Sequence, residues 1–338
     1  MKLPTPQILK DLYSSYYHNN HLRNNKKIIS SHWSYYSDFF SVTIDEKGDV
    51  LDLKGIAFGD QMIKNPLLKI AHWIGHFMYI SKNKGKKENI FLLQKAAKTC
   101  REAGYSVSFD VFKQVLSLKL IKSRFHNTMK LKKKLYFLVI GDGYGFMSCF
   151  LKKIFPDASV ILVDLGKTLF FQAYYCQTVY HTGNHVMIGE NHSYIDDFDF
   201  LYCPADRLEH FSCLLQKSGL KIDVSINIAS MQEMTPEMVG QYFKFMRQHL
   251  CFENLFYCCN REKKILRGGE VLEFKNYPYL DQDIHYIDEY CPWYWFFLTA
   301  RPYVYQNKPR FLGVKVPFIN YFDGPFMHRL SKLAIIHS

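Results

Sequence analysis

The chain contains no CxxC pair, and none of its nine cysteines stands with histidine at zinc-ligand spacing, which excludes zinc ribbons and fingers. The cysteine number is odd, and the positions (100, 149, 176, 203, 213, 251, 258, 259 and 291) fall mostly within apolar stretches. Buried, reduced thiols in a cytosolic protein are expected, not a disulfide framework. A long apolar run is also missing. The longest, PLLKIAHWIGHFMYI at 66–80, carries Lys69, His72 and His76. It is too short and too polar to span a bilayer, and a buried helix is expected there. The opening residues, MKLPTPQILKDLYSS, have no apolar core and are not expected to form a secretory signal. No internal repeat is visible. DDFD at 196–199 has carboxylates for a divalent ion but no readable partner ligands, so no metal site is expected.

Acid is scarce relative to base. Lys and Arg total 43 against 31 Asp and Glu, a formal charge of +12, which favours acidic partners such as phosphates, nucleotide sugars, nucleic acid or anionic membrane without choosing among them. The segment KLIKSRFHNTMKLKKK at 119–134 has seven Lys or Arg and no acid. It reads either as a solvated linker or as a phosphate- or membrane-facing patch. Its end marks a domain boundary near residue 130. Apolar residues make up 48% of the 338, and 17% are aromatic, enough for a sizeable core.

Residues 1–130 have mainly helical spacing. IFLLQKAAKTCREAG and DVFKQVLSLKLIKSRF repeat apolar residues at three- and four-residue intervals, with Gly104 as a C-cap. SVTIDEKGDVLDL at 41–53 has the pattern of a polar hairpin. From 131 to 338 strand and helix alternate. Strands are expected at 135–140, 159–164, 198–203, 223–229 and 252–259, with helices at 146–155, 165–180 and 236–250. Such alternation predicts a doubly wound α/β domain with ligands at the carboxyl ends of its parallel strands. ARPYVYQNKPRFLGVKVPF at 300–318 reads as two strands around a polar turn, suited to an antiparallel pair closing that sheet.

The first strand runs into VIGDGYGF at 139–146, with Gly141, Gly143 and Gly145 at alternate positions. Glycine permits positive φ and close approach of a ligand to the backbone, and the following helix offers free N–H groups. Asp164 ends the second strand, 19 residues after Gly145, where a carboxylate accepts hydrogen bonds from ribose hydroxyls; a helix N-cap is its alternative role. Asp206 follows the third strand, within reach of an adenine amino group. The dinucleotide fingerprint GxGxxG is absent: the spacing here is GxGxG, and Phe146 stands where its last glycine would be. S-Adenosylmethionine has no phosphate and tolerates a bulkier residue at that position, so the spacing favours it over NAD.

On VIGDGYG (139–145), VDLGKTLFFQAYY (163–175), DVSINIASMQEMTPEMVGQYF (223–243) and FYCCNRE (256–262), the chain resembles class I S-adenosylmethionine-dependent methyltransferases. More narrowly it resembles bacterial sugar O-methyltransferases of polysaccharide-biosynthesis clusters, over roughly residues 135–305. The resemblance implies a Rossmann-like, mostly parallel seven-stranded sheet with an antiparallel end strand, and an N-terminal helical region serving as acceptor-binding part or lid. It further implies that Gly141, Asp142, Gly143 and Gly145 wrap the methionine part of the cofactor, that Asp164 holds the ribose, and that Asp206 sits near adenine. Asn227, Ser230, Gln232 and Glu233 would line the cleft between cofactor and acceptor. One residue departs from the pattern: Val139 stands where such enzymes usually carry an acid.

Methyl transfer to a sugar hydroxyl needs an aligned acceptor and a base. Glu233 is the first candidate and His210 the second, with His72, His76 and His285 behind them. Ser230 to Glu233 also fits a capping box. SHWSYYSDFF (31–40) and YCPWYWFF (290–297) supply aromatics for sugar rings, and Arg261 with Lys263, Lys264 and Arg267 supplies cations for an acidic group. The expected partner is a sugar, nucleotide-sugar or lipid-linked glycan, with a peripheral contact to anionic membrane at its inner face. Nucleic acid is disfavoured because NIAS stands where base N-methyltransferases carry an Asn-Pro-Pro-Tyr type motif. The rival readings are an RNA methyltransferase, an NAD-dependent oxidoreductase and a degenerate domain that binds cofactor without catalysis. Oligomeric state is not legible.

Overall fold

The computed structural model describes residues 7–18, 29–46, 49–55, 66, 67, 70, 86–104, 107–129, 132, 134–190, 192–195, 197–295, 310, 311, 314, 315 and 325–336. The N-terminal part contains α1 (Gln7–Tyr13), a further helical turn at Ser14–His18, α2 (Ser31–Tyr36), the antiparallel hairpin β1 (Ser41–Ile44) and β2 (Val50–Lys54), α3 (Lys86–Glu102) and α4 (Phe109–Met129). The alternating part runs β3 (Tyr136–Ile140), α5 (Phe146–Ile154), β4 (Ser159–Asp164), α6 (Gly166–Val179), β5 (His185–Met187) and β6 (Phe200–Pro204). It continues with α7 (Leu208–Ser218), β7 (Ile222–Ile228), α8 (Pro236–His249) and β8 (Leu250–Arg261). A small hairpin of β9 (Lys263–Ile265) and β10 (Val271–Glu273) follows, then β11 (Ile284–Tyr290), α9 (Pro292–Trp295), β12 (Arg310–Phe311), β13 (Val314–Lys315) and β14 (Phe326–Lys332).

The main sheet has the order β11-β14-β8-β7-β3-β4-β6-β5. Strands β5, β6, β4, β3, β7 and β8 are parallel to one another, while β14 pairs antiparallel with both β8 and β11. This is the Rossmann-like class I methyltransferase arrangement, with eight strands in place of the expected seven because the short β5 adds an edge. The antiparallel closure is made by β11 and β14, not by 300–318. Within that stretch, the described residues form only the separate pair β12 and β13. The order reverses at β3, whose neighbours β4 and β7 lie on its two sides, so a crevice opens there at the carboxyl edge.

Both faces of the sheet are covered, so the central strands are apolar throughout and their side chains alternate between two cores. Phe137, Val139, Val160, Leu162 and Tyr202 pack with α3 to α6. Leu138, Ile140, Ile161, Val163 and Leu201 pack with α7 and α8. Helix α6 is buried nearly all round, because the N-terminal segment covers its outer side: Tyr17 meets Phe170 edge-on at 5.6 Å and Phe40 meets Phe171 at 5.4 Å. Leu9, Leu12, Leu92 and Val111 therefore share one apolar cluster with the strands of the alternating part. Gly104 has the positive φ, 76°, that a helix C-cap requires. The helical reading of 66–80 and the aromatic stretch 294–297 fall largely outside the described residues.

Seven of the nine cysteines are buried and all nine are free. No helix among the described residues is long and apolar enough to cross a membrane. The basic segment at 119–134 is partly used internally: Lys122 pairs with Glu88 at 3.1 Å, Lys132 with Asp223, and the Arg124 guanidinium lies 4.2 Å from the Tyr286 ring centre.

Arg247 of α8 makes a two-pronged ion pair with Asp283, at 2.8 and 2.7 Å, and also donates to the carbonyls of Ala334 and Pro278. The Asp283 side chain is fully buried. Removing its partner leaves an uncompensated buried carboxylate. Arg247→Met is expected to lower unfolding stability by about 3–5 kcal/mol, read as a fall in the urea midpoint.

Candidate functional site

The glycine turn after β3 adopts the conformation that its composition allows. Gly141, Gly143 and Gly145 have φ of 71°, 63° and 86°, all left-handed. At Gly141 a side chain is excluded twice over: a Cβ there would lie 1.8 Å from Ser230 Oγ. The turn is thus bare backbone held closely beneath the loop that follows β7.

Asp142 does not point outward from that turn. Its carboxylate accepts the amides of Met147 at 3.0 Å and Ser148 at 2.8 Å. It therefore caps two of the free N–H groups that open α5, and in its ionised form it carries the negative charge that the helix dipole favours there. Burial, only partly offset by those amides, pushes its acid up to about 7. Val139, in the place of the usual acid, is 3% exposed. It belongs to the apolar cluster that includes Phe146 and Leu162.

Asp164 ends β4 and opens α6. It accepts Leu165 N at 2.7 Å, Thr168 Oγ1 at 2.8 Å and Gln172 Nε2 at 2.5 Å. Burial raises its acid to about 6 despite these donors. A carboxylate has about four lone-pair directions, so one remains beyond these three donors. Asp206 is exposed and accepts the Tyr16 hydroxyl at 3.0 and 3.1 Å. The ring of Tyr16 lies against Gly166, where a Cβ would come within 2.3 Å of it. The N-terminal helical turn thus lies along the rim joining Asp164 to Asp206, an arrangement with no signal in the sequence.

The loop after β7 is braced from below by amides. Asn227 donates to the Ile140 carbonyl at 2.8 Å and accepts Met231 N and Asn260 Nδ2. Asn260 accepts Gln232 N at 3.1 Å, and Gln232 accepts Arg261 N at 2.7 Å. Asn227 and Gln232 are buried, at 0% and 3% exposure, so they shape the cleft from inside and do not form its surface. Ala229 takes a left-handed φ of 59°, a strain of about 1 kcal/mol or more that the ladder sustains.

Glu233, at the end of this loop, pairs with Lys264 Nζ at 2.6 Å and His32 Nε2 at 3.4 Å. Burial opposes its charge, but the hydrogen bond from His32 and the Lys264 ammonium outweigh that and hold it at about 2. Ser30 Oγ donates to the Glu233 carbonyl at 2.5 Å, which docks α2 onto the loop. His32 was not legible as a partner, since 201 residues separate it from Glu233. His210 lies on the first turn of α7, half-buried, with Nε2 enclosed and unbonded, and is not among the groups that pair with Glu233. His285 bonds Ser331 Oγ at 2.8 Å on β11. His72 and His76 lie outside the described residues.

Most of the expected cation cluster is engaged. Lys263 pairs with Glu273 at 2.9 Å, and the Arg261 guanidinium lies 5.9 Å from the Phe326 ring centre. Arg267 covers the Tyr35 ring at 3.6 Å. Beside it, Ser31, Ser34, Tyr35, Asp38, Phe39 and Arg267 line an open groove of about 720 Å³. Among the described residues no group of three or more His, Cys, Asp or Glu is placed to hold a metal.

No family model matches the chain, and no curated protein does. Solved structures similar to it include the cyclopropane synthase MmaA2 of Mycobacterium tuberculosis, at 15% identity and TM-score 0.27 over 41% of this chain and 42% of that one. Another is a SAM-dependent methyltransferase from Archaeoglobus fulgidus, at 12% identity and TM-score 0.33 over 63% and 93%. A third is precorrin-6y C5,15-methyltransferase from Geobacter metallireducens, at 10% identity and TM-score 0.32 over 63% and 88%. The chain spans less than half the length of the cyclopropane synthase. These likenesses concern fold at low identity, and no substrate or activity follows from them.

Two outcomes are expected from this geometry. Folded Asp142 keeps its proton up to about pH 7, whereas the ordinary carboxyl value is 3.8. At this group the folded state therefore holds more protons between these values, so the contribution of Asp142 to stability is fully present below about pH 4 and is lost as pH rises through 7. Asp142→Asn should flatten that slope, as measured by urea unfolding at several pH values. Val139→Glu should bury a carboxylate in the apolar layer and cost roughly 3 kcal/mol or more, seen as a lowered thermal midpoint.

Proposed function

We propose that this protein is an S-adenosylmethionine-dependent methyltransferase, and that its acceptor is a sugar hydroxyl. The observation that carries the cofactor is Asp142. A dinucleotide at this turn would need the α5 amides for its pyrophosphate, and the chain has already given two of those amides to its own carboxylate. A nucleoside without phosphate meets no such conflict. The left-handed glycine turn would take its methionine part, and Asp164, with three of about four acceptor directions used, retains one for a ribose hydroxyl. In this reading the base would lie beside Asp206 and Tyr16.

The bound cofactor would supply an activated methyl group and its own leaving group. The protein's share is to orient the acceptor, exclude water and take one proton. The sugar reading is supported by the groove beside α2, where Tyr35 and Phe39 are 45% and 48% exposed. They stand next to Asp38, two serines and Arg267. Exposed rings flanked by hydrogen-bonding groups suit a sugar's apolar face and its hydroxyls. Polysaccharide assembly at the inner membrane face is the setting we infer from the family resemblance.

Calorimetry with S-adenosylhomocysteine provides the direct test. Binding is expected, with Asp164→Ala weakening it about tenfold or more, and affinity falling as pH drops below about 6, where Asp164 takes up its proton. NADH should not bind. Binding of NADH without S-adenosylhomocysteine would overturn the reading. The acceptor is tested with methyl-labelled cofactor against methyl glycosides of common hexoses and deoxyhexoses and UDP-hexoses.

A further inference from the structure

The turn Ser230–Glu233 joins two things that sequence reading kept apart. At one end Ser230 Oγ closes over Gly141, the first glycine of the cofactor turn. At the other end Glu233 meets His32 and Lys264. Met231–Glu233 is a single turn of 3-10 helix, and such a turn rises about 2 Å per residue. Glu233 lies close enough for its charge to act on Asp164, so the His32 imidazole, 3.4 Å from Glu233, stands at the margin of the crevice that the glycines line. The docking is built: Ser30 Oγ bonds the Glu233 carbonyl at 2.5 Å. Ser31 bonds Glu270 through both its amide and its hydroxyl, at 3.2 and 2.6 Å.

We propose that His32 is the general base of the methyl transfer and that Glu233 is its positioning residue. The His32 and Glu233 side chains are 18% and 20% exposed, accessible yet shielded. With Nε2–H donated to Glu233, the lone pair of the neutral ring is on Nδ1. Glu233 itself is a poor acceptor for a hydroxyl proton, because Lys264 and His32 hold it ionised down to about pH 2. The groups around His32 are Glu233 from the loop, Lys264 of β9 behind Glu233, and Trp33 and Tyr36 from its own helix, with ring centres at 5.5 and 4.6 Å; from the β9–β10 hairpin, Arg267 and Glu270 bond its neighbours Tyr36 and Ser31. In the balanced step the acceptor oxygen bonds the methyl carbon as the S–CH3 bond breaks, its electron pair stays on sulfur, and the O–H proton passes to Nδ1. Lys264 keeps Glu233 anionic, so the imidazolium formed has a counter-charge. This is the orienting logic of a carboxylate behind a histidine base.

This role presupposes the methyl-transfer reading, and the experiment separates the two. His32→Ala is expected to lower kcat about 100-fold or more on whichever glycoside turns over. S-Adenosylhomocysteine affinity by calorimetry should stay within about twofold, with partial rescue by added imidazole. A loss of less than about threefold, with cofactor binding intact, overturns the proposal while leaving methyl transfer standing. Should no glycoside turn over, nitrogen-15 NMR of the histidine rings decides. An Nε2–H tautomer at His32 that Glu233→Gln disturbs supports the pair. An Nδ1–H tautomer, or one indifferent to Glu233→Gln, overturns it.

Discussion

The hydrogen bond from Asn227 to the Ile140 carbonyl crosses the sheet where its strand order reverses, and the site is arranged around it. It ties the end of β7 to the end of β3, so that the loop carrying Ser230 and Glu233 is fixed in height above the glycine turn. Asn260 and Gln232 extend the tie to β8. Buried amides of this kind are costly when unpaired and stiff when paired. Their completeness here lets Ala229 remain in a left-handed conformation and lets Ser230 press against a residue with no side chain.

Charge at this edge is managed locally. Asp142 is consumed by the start of α5, Asp164 by the start of α6, and Glu233 by a lysine and a histidine. Each of these carboxylates has a protein partner in place, as has Asp206 in the Tyr16 hydroxyl. The net positive charge does not collect at the crevice, because Lys263 and Lys264 are paired and Arg267 lies over an aromatic ring.

The alternating half of the chain was readable because parallel strands buried on both faces are plain apolar runs, and because glycines at such spacing have few other uses. Strand and helix limits at 136–164 agree with the periodicity to within a residue or so. Helix α7 and strand β5 escaped notice. The first follows its strand with only a short 3-10 turn between, and the second is three residues long with mixed polarity. The true antiparallel pair was hidden for a related reason: β11 is half-exposed and polar, so its pattern resembles a loop. At this edge the left-handed glycine turn and the place of Asp164 at the end of β4 were legible from spacing, whereas the contacts of Tyr16 and His32 were not. Their partners are set by long-range docking, which leaves no local periodicity.

That docking has a consequence for how the protein comes to be. Tyr16 meets Asp206 across 190 residues of sequence, and Ser30 meets Glu233 across 203. Contacts so distant along the chain form late, since long loops must close first. As the ribosome delivers the polypeptide amino end first, the opening segment meets α6 only after 150 further residues, through Tyr17 and Lys167, and its contacts with Asp206 and Glu233 come later still. The sheet can be complete while the rim of its crevice is still missing, and the ability to hold a nucleoside would then be the last property the folding chain acquires.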